Sequence, residues 1–150
     1  MKILGRFVLL FMLLLGLTAC GSNGIAEDAI TGRYSVTLTK EQLFDAGASF
    51  MLATGAPGTY QLELTNDGIA RLSEATDIGL RLRAEGPYTL FEHEIRFGAD
   101  RGDYACTKYE VEQSSYKWTL KDGQLSLTVI EDGCEDRRIV FIAQLWVRQP

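Results

Sequence analysis

From Gly32 onward apolar and polar residues alternate with a period of two, the mark of strands with one face buried and one face wet. Tyr34, Val36 and Leu38 alternate with Ser35, Thr37 and Thr39, and Tyr60, Leu62 and Leu64 with Gln61 and Glu63. The same rule covers Leu80 and Leu82, Ile95 and Phe97, then Tyr116, Trp118 and Leu120, then Leu125, Leu127 and Val129. Ile139 to Val147 is apolar on both faces and reads as a last strand. The predicted strands are 32–39, 58–65, 68–73, 79–91, 94–98, 114–120, 124–130 and 137–147. The fourth is joined across Gly86-Pro87, because a proline fits a ladder only at an edge or a bulge.

One segment departs from this period. Lys40 to Leu52 places Leu43, Phe44, Ala48 and Met51 on one helical face, and Thr39 with Gln42 has the spacing of a capping box. Gly47 in its middle predicts two short helical turns rather than one rod. Asn66-Asp67-Gly68, Glu92-His93 and Asp122-Gly123 read as tight hairpin turns. The helical segment and the stretches 74–78, 99–113 and 131–136 read as longer connections. In an up-and-down meander alternate connections fall at opposite ends. All tight turns then share one end and all long connections the other. The expected fold is all-β: an eight-stranded up-and-down antiparallel barrel with a short helical insertion after strand one.

The first nineteen residues have a different character. Lys2 and Arg6 precede an apolar run from Phe7 to Leu17, and small residues follow, as in a secretory signal peptide. Eleven such residues are too few for a bilayer core that needs about 20. Leu17-Thr18-Ala19-Cys20 resembles the lipobox of bacterial lipoproteins. That resemblance implies that the Cys20 sulfur receives a diacylglyceryl group and becomes the mature N-terminus, which places the protein on the extracytoplasmic side of the cell envelope, in the periplasm or at the cell surface. The division expected is 1–19 as signal peptide, 20–30 as lipidated cysteine and flexible tether, and 31–150 as the barrel domain.

Removing residues 1–19, with Lys2 and Arg6, leaves 131 residues and takes the net charge from −5 to −7. A body so acidic attracts neither nucleic acid nor anionic head groups, so contact with the bilayer falls to the lipid at Cys20. With Cys20 consumed, Cys106 and Cys134 remain as a pair in an oxidising compartment, and a disulfide is expected. Both lie in long connections, hence at one end of the barrel. A zinc cage would be short of ligands, since His93 is the sole histidine.

The closed meander with a helix after strand one resembles the calycins, the lipocalins and fatty-acid-binding proteins, over residues 31–148. Gly32-Arg33-Tyr34 looks like the lipocalin Gly-x-Trp with tyrosine for tryptophan, and Arg148 stands where lipocalins place an arginine over that aromatic at the closed end. A closer likeness is to bacterial lipocalin-like lipoproteins of uncertain function. It rests on Gly58-Thr59-Tyr60, Tyr116-Lys117-Trp118-Thr119-Leu120, Asp122-Gly123-Gln124-Leu125-Ser126-Leu127, Cys134 and Trp146-Val147-Arg148.

Candidate chemistry is sparse. His93 lies between Glu92 and Glu94 in a turn, with no Gly-x-Ser-x-Gly elbow to supply a serine nucleophile and no phosphate-binding glycine loop. No enzyme and no cofactor are expected. The acidic stretch Glu131-Asp132-Gly133-Cys134-Glu135-Asp136, brought near Asp100 and Asp103, has oxygen ligands that calcium favours. It lacks the ordered spacing of a calcium loop, and Arg101, Arg137 and Arg138 stand ready to neutralise it. No metal site is expected.

The inward positions Tyr34, Tyr60, Leu62, Tyr88, Phe97, Tyr116 and Trp118 leave two readings. An eight-stranded barrel either holds one small ligand or fills with side chains. The expectation is a small hydrophobic or amphipathic ligand lined by Tyr60, Leu62, Tyr88, Phe97, Tyr116 and Trp118. It would pass beneath a lid of Leu43, Phe44, Ala48 and Met51. The alternative is a filled barrel serving as a structural or protein-interaction module of the envelope.

Overall fold

The computed structural model describes residues 30–106 and 113–150. Eight strands close into an antiparallel barrel, each hydrogen-bonded to the next and the last returning to the first. In chain order these are β1 (Gly32–Leu38), β2 (Gly58–Leu64), β3 (Ile69–Thr76), β4 (Gly79–Phe91), β5 (Glu94–Phe97), β6 (Ser114–Lys121), β7 (Gln124–Glu131) and β8 (Trp146–Arg148). Among the described residues three helices interrupt the meander: α1 (Lys40–Asp45) and α2 (Phe50–Gly55) between β1 and β2, and α3 (Glu135–Ile142) between β7 and β8. The inward positions of the strands are buried, Tyr34, Tyr60, Ile95, Tyr116 and Leu125 completely.

The tight turns 66–68, 92–93 and 122–123 share one end with the start of β1. The helices and the described part of the β5–β6 connection occupy the other. Cys106 and Cys134 meet at that second end in a disulfide, with Cα atoms 5.7 Å apart. At the first end the Arg148 guanidinium lies over the Tyr34 ring, 5.4 Å from its centre. A side chain at position 32 would crowd that guanidinium, because a Cβ there would come within 3.2 Å of Arg148 Nε.

The reading of 137–147 as a strand is overturned. Residues 135–142 form α3, and the eighth strand is only Trp146–Arg148. A short apolar run buried on both sides carries no period that separates strand from helix. Here Glu135 and Asp136 fall in the first helical turn, where negative charge suits the helix dipole. Ile139, Val140 and Phe141 are then all buried, and Phe141 packs against Phe97 and Tyr116 inside the barrel.

The 74–78 connection is also shorter than expected. β3 and β4 run on to Thr76 and Gly79, leaving Asp77-Ile78 as a two-residue turn. β4 is one strand across Gly86-Pro87, as the joined reading requires. Its register with β3 slips between Leu72 and Ser73, which face Ala84 and Leu82.

The helical insertion divides at Gly47, whose φ of +89° suits a residue without a side chain. Thr39 and Gln42 form a complete capping box on α1, and Ser49 caps α2. Because α2 restarts at Ser49, the face drawn continuously from Leu43 to Met51 loses its phase. Leu43 and Ala53 are fully buried, whereas Phe44 is 41% exposed and Met51 82%. Phe44 and Met51 therefore do not close over the interior.

Candidate functional site: the barrel interior and its mouth

Six residues expected to line a pocket, Tyr60, Leu62, Tyr88, Phe97, Tyr116 and Trp118, are all buried and brought together by the inward alternation of β2, β4, β5 and β6. What they face is other side chains. Phe141, delivered by α3, packs on Phe97 at 5.1 Å and on Tyr116 at 5.5 Å between ring centres. Phe97 meets Tyr116 edge-on at 5.8 Å, and Trp146 meets Phe141 edge-on at 6.2 Å. Such pairs contribute about 0.5–1.5 kcal/mol each beyond the burial of their area.

The tyrosine hydroxyls are also committed, whereas the buried Trp118 indole N–H has no hydrogen-bond partner among the described residues. The Tyr60 hydroxyl donates to the Ala56 carbonyl at 2.8 Å, and the Tyr88 hydroxyl to the Thr65 carbonyl at 2.7 Å. The Tyr116 hydroxyl donates to Asp132. Burial, and behind it the Asp132 carboxylate, pushes the Tyr116 phenol well above its ordinary value. Burial likewise raises Tyr60, with Tyr104 and Glu74 adding to the effect. Both phenols are therefore neutral donors.

Between these groups remains a cavity of about 30 Å³, bordered by Leu62, Leu72, Ala84, Phe97, Tyr104 and Phe141. A single water needs about 10–15 Å³ on such a measure. The space suits one or two solvent molecules and no acyl chain.

A buried ionic knot seals the mouth above the cavity. Arg137 binds Asp132 through two hydrogen bonds, Nε to Oδ2 at 2.9 Å and Nη2 to Oδ1 at 3.0 Å, and reaches Asp100 Oδ2 from Nη1 at 3.2 Å. Burial pulls the Arg137 pKa down, but the hydrogen bonds and charge of Asp132 outweigh it, and the net shift is upward. The two aspartates also hold the disulfide. Asp100 Oδ1 accepts the Cys106 N–H at 2.7 Å, and Asp132 Oδ1 the Cys134 N–H at 2.9 Å. One cation thus ties together both chain segments that the disulfide joins.

This arrangement answers the acidic rim. Asp132 and Asp100 turn inward onto Arg137, Asp103 pairs with Arg81 and Arg83, and Arg101 pairs with Glu85. The Glu135 carboxylate accepts the Ser49 N–H at 2.8 Å, fastening α3 to α2. Among the described residues no three histidine, cysteine, aspartate or glutamate side chains are grouped so as to hold a metal ion. His93 is exposed in its turn, 3.9 Å from Glu92.

Two features went unread in the sequence. Phe141 was counted among strand residues, so its place as the central filler was hidden. The Asp132–Arg137 pair spans the end of β7 and the first turn of α3 and carries no local signature. Cys20 and the rest of 1–29 lie outside the described residues. No family model matches the chain, and neither the curated proteins nor the solved structures give a significant match.

Proposed function

We propose that this chain is an exported lipoprotein, anchored through Cys20 on the extracytoplasmic face of a bacterial membrane. Its lipocalin-like barrel is a filled scaffold for contact with other envelope components. It is neither a carrier nor an enzyme. One observation carries the filled reading: the cavity between Leu62, Phe97 and Phe141 measures about 30 Å³, where ligand pockets typically offer about 300–1,000 Å³. The Cys106–Cys134 disulfide supports export, because such bonds persist in oxidising compartments. The outward surface supports contact. Phe50 and Met51, 70% and 82% exposed, stand on the pole opposite Ile30, and aromatic residues and methionine are the types enriched at protein interfaces.

The test has two arms. Fatty-acid labelling in cells should mark the wild type and spare Cys20→Ser, which should leave the membrane fraction or persist as precursor. Titration of the purified Cys20→Ser protein with a fluorescent fatty acid should give no saturable signal. Stoichiometric saturation would return the barrel to the carriers, and a labelled, membrane-bound Cys20→Ser protein would remove the anchor.

A further inference from the structure

Helix α1 carries its end charges in the reverse of the order that its dipole favours. Its first residue is Lys40 and its last is Asp45, whereas a helix favours an anion at its start and a cation at its end. Glu41 in the first turn offsets the lysine, but the last turn holds no basic residue. Among the described residues neither Asp45 nor Lys40 belongs to an ion pair. The Lys40 ammonium instead lies over two rings, 5.7 Å from the centre of Phe44 and 5.6 Å from that of Phe50.

An apolar patch adjoins these charges. The Phe44 and Phe50 rings stand 6.4 Å apart, and exposure rises from Phe44 through Phe50 to Met51. On α1 the wet face is Lys40, Glu41, Phe44 and Asp45, with Leu43 buried on the other side. The patch is held still from beneath. Leu43 and Ala53 anchor the two helices in the core, Thr39 and Ser49 cap them, and the Glu135 carboxylate accepts the Ser49 N–H. A surface fixed in advance loses little further freedom on binding.

One occupant matches both the patch and the reversed charges: the same helix running the other way. We propose that this pole is the interface of a twofold dimer, in which α1 of one copy packs antiparallel on α1 of the next. The Lys40 end of each helix then lies beside the Asp45 end of the other, and Phe44, Phe50 and Met51 of both copies meet. Such a twofold contact is self-complementary, and it gives each reversed charge its opposite. The inference rests on the reading of this pole as a contact surface, and on neither the anchor nor the filled interior. Two rings and a methionine make a contact smaller than the standard interface of about 800 Å² per partner, so the expected Kd is about 10–300 μM. Below that range the monomer prevails.

Sedimentation equilibrium of the mature Cys20→Ser chain, at concentrations on either side of that range, tests the dimer. The chain should pass from monomer to dimer and no further. Lys40→Asp and Asp45→Lys should each weaken self-association at least about tenfold, because each sets like charges together at both ends of the pair. Both changes suit the helix dipole, and an undiminished unfolding midpoint in each separates a lost contact from a lost fold. Mixing the two variants should restore a dimer, since opposite charges face each other again at both ends of the mixed pair. Monomer at every concentration overturns the proposal. So do assemblies larger than a dimer, association that Phe50→Ser with Met51→Ser leaves unweakened, or no recovery on mixing. Saturable fatty-acid binding by a chain that still dimerises ends the filled reading and leaves the dimer standing.

Discussion

Phe141 lies 5.1 Å from Phe97, ring centre to ring centre, and its carbonyl accepts the Trp146 indole N–H at 3.1 Å. The first contact fills the middle of the barrel. The second ties the plug to the strand that follows it, so that the filler and the closure of the barrel depend on one residue.

Phe141→Ala should therefore do two things. It should cost about 3–5 kcal/mol of stability, the usual toll of emptying a buried aromatic site. It should also leave an apolar void, and such voids stay dry and take up small aromatic guests. Thermal unfolding with and without benzene reads both effects: a rise in midpoint for the variant and none for the wild type. A benzene-induced rise in the wild type would reveal room that the packing denies.

Reducing the Cys106–Cys134 bond should lower stability by about 3–4 kcal/mol, the loop-closure contribution expected for its sequence separation of 28. Urea titrations of oxidised and reduced protein measure it. An unchanged midpoint would mean that Arg137 and its aspartates hold the two segments without the covalent bond.

Arg137→Met leaves the Asp132 carboxylate, whose side chain is 0% exposed, without its cation. Stranding a buried charge costs about 3–5 kcal/mol. Adding Asp132→Asn should recover part of that loss, because an amide has no charge to strand. A double variant less stable than Arg137→Met alone would show that the hydrogen bonds to Cys134 and Tyr116, not the charge, give Asp132 its weight.

The phenols set an alkaline limit. In the unfolded chain tyrosine ionises near pH 10, whereas Tyr60 and Tyr116 are raised in the folded barrel. Below about pH 10 both states keep the protons and the full stability is present. Above it the unfolded chain releases protons that the folded chain retains, so stability falls as pH rises. Tyrosinate absorbance at about pH 11 should show these two groups appearing only together with unfolding. Their ionisation in a protein that keeps its native circular dichroism would place them nearer solvent than their burial indicates.

The strand pattern was legible because strands such as β1, β2 and β6 bury one face, and burial of one face writes itself as alternation. Beyond the register slip in β4 that rule misplaces Leu80 and Leu82, which are 61% and 46% exposed. Tyr34, Tyr60, Tyr116 and Leu125 could be placed inward for that reason alone. The end carrying Cys106 and Cys134 followed from counting connections, which needs no side-chain geometry. Two features were hidden, each for a different physical reason. Ile139, Val140 and Phe141 are buried whether strand or helix, so their apolarity could not choose between the two. Phe44 and Met51 looked inward only while the helix was drawn unbroken through Gly47. Whether the interior was hollow depended on Phe141, a residue inside the misread segment. The aromatic lining was therefore readable, and its filling was not.

Native mass spectrometry of the Cys20→Ser protein, purified from cells without denaturation, tests the filled barrel most directly. Removing the covalent anchor leaves the barrel as the remaining place for a lipid to travel. The account predicts one species at the mass of the polypeptide with its disulfide closed. A second species, heavier by the mass of a fatty acid or phospholipid and stripped back to the first on denaturation, would contradict it.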